Sequence, residues 1–169
     1  MIDTFLRDLR QPEYIHVLLN PLPIYGLLVG LIGLLLAICL RSRPAKIATL
    51  AIILISSASA WPVFEYGEQA YDRVLTMTDD PGHAWLNEHR HRADQFIFVF
   101  YALAVLSAAA IAIPIKWPKS SVPLALAVLL LGAVTFGMGT HIAHAGGKIR
   151  HKEFRNEPPP PQRAEEERD

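Results

Sequence analysis

Four apolar stretches without Asp, Glu, Lys or Arg dominate the chain, at residues 22–40, 47–63, 96–115 and 122–140. Each holds about 17 to 20 residues, the length a helix needs to cross roughly 30 Å of hydrocarbon. The pattern predicts an all-α fold, a polytopic four-transmembrane-helix bundle with both termini on the same side. His16, His83, His89, His91, His144 and His151 lie on the side shared by the termini, and His141 lies just beneath it.

Finer patterning predicts the connecting elements. Residues 2–10 alternate Ile, Phe and Leu with Asp and Arg at helical spacing, as in a short amphipathic segment on a membrane surface. Residues 1–20 therefore read as an interfacial segment, 21–154 as the transmembrane domain and 155–169 as a disordered or polyproline, Glu-rich tail. Asn20-Pro21-Leu22-Pro23 predicts a break before the first span. Within that span Gly26, Gly30 and Gly33 form one stripe, which serves either close helix packing or clearance for a flat cofactor. The second span ends near Trp61-Pro62, with helix resuming over 65–75, and Asp79-Asp80-Pro81-Gly82 reads as a solvated bend. From His83 the residues favour helix to 113, so the third helix projects two or three turns beyond the membrane before Pro114 ends it. The fourth starts with Ser121 as N-cap. Along it Gly137, His141, His144, Lys148 and His151 make one stripe.

Composition narrows the classes. At 169 residues, 51% hydrophobic and zero formal net charge, the chain suits one small membrane domain and gives no electrostatic reason for nucleic acid. Cys39 is its only cysteine, which excludes disulfide frameworks, iron–sulfur clusters and thiolate zinc sites within one chain. No CxxCH is present for a covalent c-type haem. Asp3, Arg7, Asp8 and Arg10 interrupt the N-terminus too early for a secretory signal peptide. Nucleophile elbows, phosphate loops, dinucleotide fingerprints and HExxH motifs are missing, which disfavours hydrolytic and phosphoryl-transfer chemistry.

Charge also bears on orientation. The turns at the far face, 41–46 and 116–119, are short and basic, whereas all 16 carboxylates lie on the histidine side. Short basic turns stay cytoplasmic, which places the histidines in the periplasm of a bacterial inner membrane. Eleven of the 16 Lys and Arg residues lie on the histidine side, which pulls the other way.

Imidazoles at membrane depth are costly unless paired or ligated. Neutral imidazole suits haem iron, zinc, copper or non-haem iron. Haem b asks for axial imidazoles on separate helices, an apolar slot, and cations for its propionates. The expected axial pair is His89 and His144, with His16 and His151 next and able to hold a second haem. Gly137 and the Gly26/Gly30/Gly33 stripe would line the slot, with Arg90, Arg92, Lys148 and Arg150 at its rim, and Lys148 and Arg150 would neutralise propionates. His83 and His91 read as surface residues. Glu65, Glu68 and Glu88 lack the ExxH spacing of di-iron helices, so a ferritin-like centre is disfavoured.

Three segments carry a resemblance: GEQAYD at 67–72, NEHRHRAD at 87–94 and HAGGKIRHKE at 144–153. They resemble a family of uncharacterised bacterial four-helix membrane proteins, a domain of unknown function. Its Gly-Glu-x-Ala, Glu-His and Gly-Gly-x-Ile-Arg-His segments fall on Gly67, Glu68 and Ala70, on Glu88 and His89, and on Gly146, Gly147, Ile149, Arg150 and His151. A more distant group opens its first span with His-Pro and a second His five residues on. Here His16 fits the first position, with Val17 and Pro21 at the others. The resemblance implies fold and topology but no activity.

Taken together, the sequence is read as a membrane b-type cytochrome-like electron-transfer protein or accessory subunit rather than a stand-alone enzyme. A quinone, a periplasmic cytochrome c, other membrane subunits or a homo-oligomer are the expected partners. The alternatives are a cofactor-free subunit or scaffold and a non-haem copper, zinc or iron protein.

Overall fold

A computed structural model of the chain describes residues 6–161. The first residues of the expected amphipathic segment, up to residue 5, and the Glu-rich end of the tail from residue 162 lie outside the described residues. The described chain is helical, without strands, and four of its helices are long and apolar enough to cross a membrane: Pro12–Cys39, Arg43–Thr76, Asp80–Lys116 and Pro118–Arg150. Large apolar side chains such as Val29, Leu35, Ile55, Val105 and Leu130 face outward along them. Only a lipid environment makes such a surface stable over this area.

These helices hold 28, 34, 37 and 33 residues. At about 1.5 Å per residue they run far beyond a hydrocarbon core of roughly 30 Å. Because the far turns are short, the surplus collects at the histidine end. All four helices therefore continue past the apolar runs and build a second, extramembrane layer.

The first span is one continuous path rather than a helix preceded by a break. Helix α1 (Pro12–Leu19) passes through a π-helical turn, Leu22–Gly26, into α2 (Leu27–Cys39). Pro21 and Pro23 lack N–H donors, and their rings would crowd carbonyls in a regular α-helix. Widening by one residue per turn accommodates them. His16 consequently rides on the same column as the first span, one turn and a half above the prolines.

The second span bends at Ser59, between α3 (Arg43–Ala58) and α4 (Ala60–Thr76), where the Ser59 hydroxyl donates to the Ser56 carbonyl at 2.7 Å. Pro62 has no N–H for the carbonyl of residue 58, which explains the discontinuity. Helix α5 starts earlier than expected and runs Asp80–Lys116. Asp79 is its N-cap rather than part of a loose bend, accepting from the Gly82 N–H at 3.2 Å. Pro114 sits inside the last turn of α5 instead of ending it. Helix α6 spans Ser121–Arg150, after a 3-10 turn at Pro118–Ser120. Ser121 makes no cap bond; its hydroxyl accepts from Lys46 Nζ at 2.9 Å and ties the two far turns together.

Two apolar cores result. The membrane core contains Leu27, Leu34, Leu50, Ile53, Leu103, Ala110, Ala125 and Val128. A smaller core at the histidine end packs Trp85 and Leu86 of α5 on Ala145 and Ile149 of α6, with Tyr71, Val74 and Leu75 of α4 against them. The glycine stripe of the first span is spent on helix packing. A Cβ on Gly30 would lie 2.6 Å from Ile53 Cγ1 and one on Gly33 2.7 Å from Thr49 Cγ2, while Gly26 abuts the Ser56 side chain. Gly137 faces open space. Neither therefore lines a slot.

Substitution separates these glycines. Gly30→Ala should destabilise the bundle by about 1–3 kcal/mol through overpacking, whereas Gly137→Ala should cost nothing. Thermal unfolding of both variants in detergent checks this contrast.

Candidate functional site

Between the α1–α4 pair and the α5–α6 pair lies a cavity of about 720 Å³. Its membrane end is apolar, walled by Pro23, Ile24, Phe64, Ile97, Phe100 and Gly139, and exposed Arg150 and His151 stand at its rim. Both His16, on α1, and His89, on α5, line it. Their ring centroids are 6.2 Å apart and their planes meet at 87°.

Each imidazole is anchored the same way. His16 Nδ1 is 2.8 Å from the Val63 carbonyl and His89 Nδ1 is 3.0 Å from the Ile142 carbonyl. A carbonyl only accepts, so both Nδ1 atoms carry the proton and both Nε2 atoms keep a free lone pair. The ring of His16 lies on Gly67, where an added Cβ would sit 2.9 Å from Nδ1. The ring of His89 lies on Gly146, where a Cβ would be 3.1 Å from both Nδ1 and Cε1. In each case the glycine follows the bonded carbonyl by four residues. Helical side chains lean toward the N-terminus, so a side chain at i+4 would cover the carbonyl at i. Glycine uncovers it.

The structure brings His89 together with His16 rather than with the expected His144. His144 is exposed and does not line the cavity. The face that α6 turns to the cavity carries Gly139, Ile142, Ala143, Gly146, Gly147 and Arg150. That phase is fixed by Gly146 under His89, and it carries His144 to the opposite side of the helix. His141 is exposed as well, meeting Phe96 edge-on at 6.2 Å.

The other expected residues divide. Arg150 lies at the cavity rim, where it was expected. His151 also reaches the rim, but its ring stacks on Phe154 at 4.9 Å and its Nδ1 is 2.9 Å from Glu153 Oε1. Lys148 is buried elsewhere: its ammonium lies 4.2 Å from the Trp85 ring centre and pairs with Glu157. It holds the extramembrane core rather than a cofactor. His83 bonds the Thr78 carbonyl at 3.1 Å, and His91 is exposed. Among the described residues no group of three or more His, Cys, Asp and Glu side chains is placed to hold a metal ion.

Sequence reasoning passed over Gly67 and Gly146 as supports, and over the pairing of Glu68 with Arg90 beside the histidines. Arg90 binds both oxygens of Glu68, with Nε at 2.8 Å from Oε1 and Nη2 at 2.6 Å from Oε2, and its guanidinium lies 4.5 Å over the Tyr71 ring. The Tyr71 hydroxyl in turn donates to Asn87. A signal was present, since Gly67-Glu68 and His89-Arg90 are both adjacent pairs.

The start of the supposed tail belongs to the fold. Arg155 donates to the Lys148 and Ile149 carbonyls, each at 2.7 Å, and to Asp79 Oδ2 at 2.9 Å. Lys152 adds a second cation 3.2 Å from Asp79. This strap ties the C-terminal end of α6 to the N-terminal end of α5, where Gly82 leaves room: a Cβ there would lie 2.8 Å from the Ile149 carbonyl.

No family model, curated protein or solved structure matches the chain. The resemblance to the four-helix membrane family therefore stands on its three segments alone.

The strap makes a pH prediction. Arg155 holds the Asp79 carboxyl well below the usual aspartate range, assisted by Lys152 and the Gly82 N–H. A carboxyl lowered in the folded state stabilises it above the ordinary value of about 3.9 and loses that contribution as pH falls toward the folded-state value. Glu157, lowered by its bond to Lys148, moves in the same direction. Amide protection across 148–157 should hold from pH 7 to about pH 4 and fall below it. Arg155→Ala should lower the protection and weaken its pH dependence in hydrogen exchange, leaving the part set by Lys148 and Glu157.

Proposed function

We propose that this protein is a membrane-anchored b-type cytochrome that holds one haem between His16 and His89 and carries electrons. The spacing of the two rings carries the reading. Two imidazoles bound to one metal through Nε2, at about 2.0–2.1 Å each and about 1.1 Å from nitrogen to ring centre, have centroids roughly 6.3 Å apart. The observed 6.2 Å is close to that spacing. Ligating histidines characteristically donate their other ring N–H to a carbonyl, and both do so here. A volume of about 720 Å³ lies within the range of cofactor pockets, about 300–1,000 Å³.

Held by His16 and His89, haem would supply a ferric–ferrous couple, suited to electron transfer rather than substrate chemistry. The chain's own residues do the remainder. Val63 and Ile142 hold the two imidazoles in one tautomer and one orientation. Phe64, Ile97 and Phe100 keep water from the membrane end, and Arg150 at the rim balances propionate charge. His151 is left to the rim and the strap, so one haem is proposed rather than two.

The short basic turns at the far end support a histidine end facing outward from a bacterial inner membrane. Two electron partners suit that position, a quinone from the bilayer and a periplasmic c-type cytochrome.

Detergent-purified protein should show a Soret band, with sharp α and β bands on dithionite reduction. His16→Ala and His89→Ala should each abolish that spectrum or convert it to a five-coordinate one, while His144→Ala should leave it unchanged. Colourless protein refutes haem binding. A wild-type spectrum from either of the first two variants refutes the assignment of ligands.

A further inference from the structure

The haem reading gives no role to the ion pair of Glu68 and Arg90 in the cavity wall. Both residues line the cavity. Glu68 follows Gly67, which supports the His16 ring, and Arg90 follows His89. The pair thus bridges α4 to α5 beside the two imidazoles. The Glu68 side chain is only 27% exposed and that of Arg90 31%, and a face of Arg90 is covered by Tyr71. Charges so placed are screened less than surface charges.

Resting on the haem reading, we propose that Glu68 and Arg90 are positioning residues that set the redox potential of the site by opposing electrostatic effects. Reduction adds one electron to the centre, lowers its charge by one, and breaks no bond. A nearby guanidinium favours that change and a nearby carboxylate opposes it. Paired, the two largely cancel. Removing one uncovers the other.

A purely structural staple behaves differently. Breaking an ion pair from either side loosens the same α4–α5 contact, so both single variants would shift the site in the same direction. Opposed shifts are the signature of charge.

The test is a potentiometric titration of the full-length, detergent-solubilised protein, with dithionite as reductant and ferricyanide as oxidant. Glu68→Gln should raise the midpoint potential and Arg90→Gln should lower it, with the double variant between them. Arg90→Lys, which keeps the charge but not the bidentate geometry, should lower it less than Arg90→Gln. Shifts of one sign in both single variants, or none in either, overturn the proposal. Where Arg90→Gln sheds haem, Glu68→Gln and Arg90→Lys decide: an upward shift in the first supports it, and no shift or a fall overturns it. A colourless wild-type chain is a separate result, which removes the haem reading and this inference with it.

Discussion

The bond between an imidazole Nδ1–H and a helical carbonyl left bare by a glycine four residues later shapes the rest of the site. The carbonyl already serves its own helix, but its second lone pair remains available. A side chain at i+4 would shield that lone pair, and glycine leaves it open to a ring approaching from the neighbouring helix. The device occurs twice, as His16 on Val63 and Gly67 and as His89 on Ile142 and Gly146. Each bond contributes only about 0.5–1.5 kcal/mol. Its larger consequence is geometric, because it fixes the tautomer, brings the ring onto the glycine, and leaves the second nitrogen for another partner.

That device requires helices longer than the membrane demands. The apolar runs alone would end near Leu22, Val63, Phe96 and Thr140, below the level of both histidines. Surplus helix at one end lifts α1, α4, α5 and α6 into a second layer, and the cavity lies where the two layers meet. Keeping α1 in register requires helix through Pro21 and Pro23, which the π turn achieves. The α5 and α6 tops are held by Trp85, Lys148 and the Arg155 strap. Below them, glycines let the first two spans approach closely, so the scaffold under the cavity is tightly packed.

The spans were legible because twenty uncharged residues have few other physical readings, whereas the Gly26, Gly30 and Gly33 stripe allowed both close packing and a cofactor slot, and only the contacts with Ile53 and Thr49 decide for packing. Helix phase was harder. His144 and Lys148 share a stripe with Gly137, and the chain alone does not say which stripe faces the bundle; Gly146 decides it by seating His89. Proline misled at 21–23 and at 114, where local propensity argues for a break and the surrounding packing carries the helix through. Arg155 was hidden because its partners are carbonyls seven and six residues back and an aspartate 76 positions away. No local pattern encodes such a contact. His16 was visible as a candidate, but its pairing with His89 arises only from how α1 lies on α4.

Near-perpendicular imidazole planes leave a mark on ferric iron that no scattered arrangement of histidines would give. The decisive measurement is low-temperature electron paramagnetic resonance of the oxidised, detergent-purified protein. A shared iron between His16 and His89 predicts a strongly anisotropic low-spin signal of the kind produced by two crossed imidazoles. A high-spin signal, a low-spin signal of parallel rings, or no haem iron at all would contradict the account.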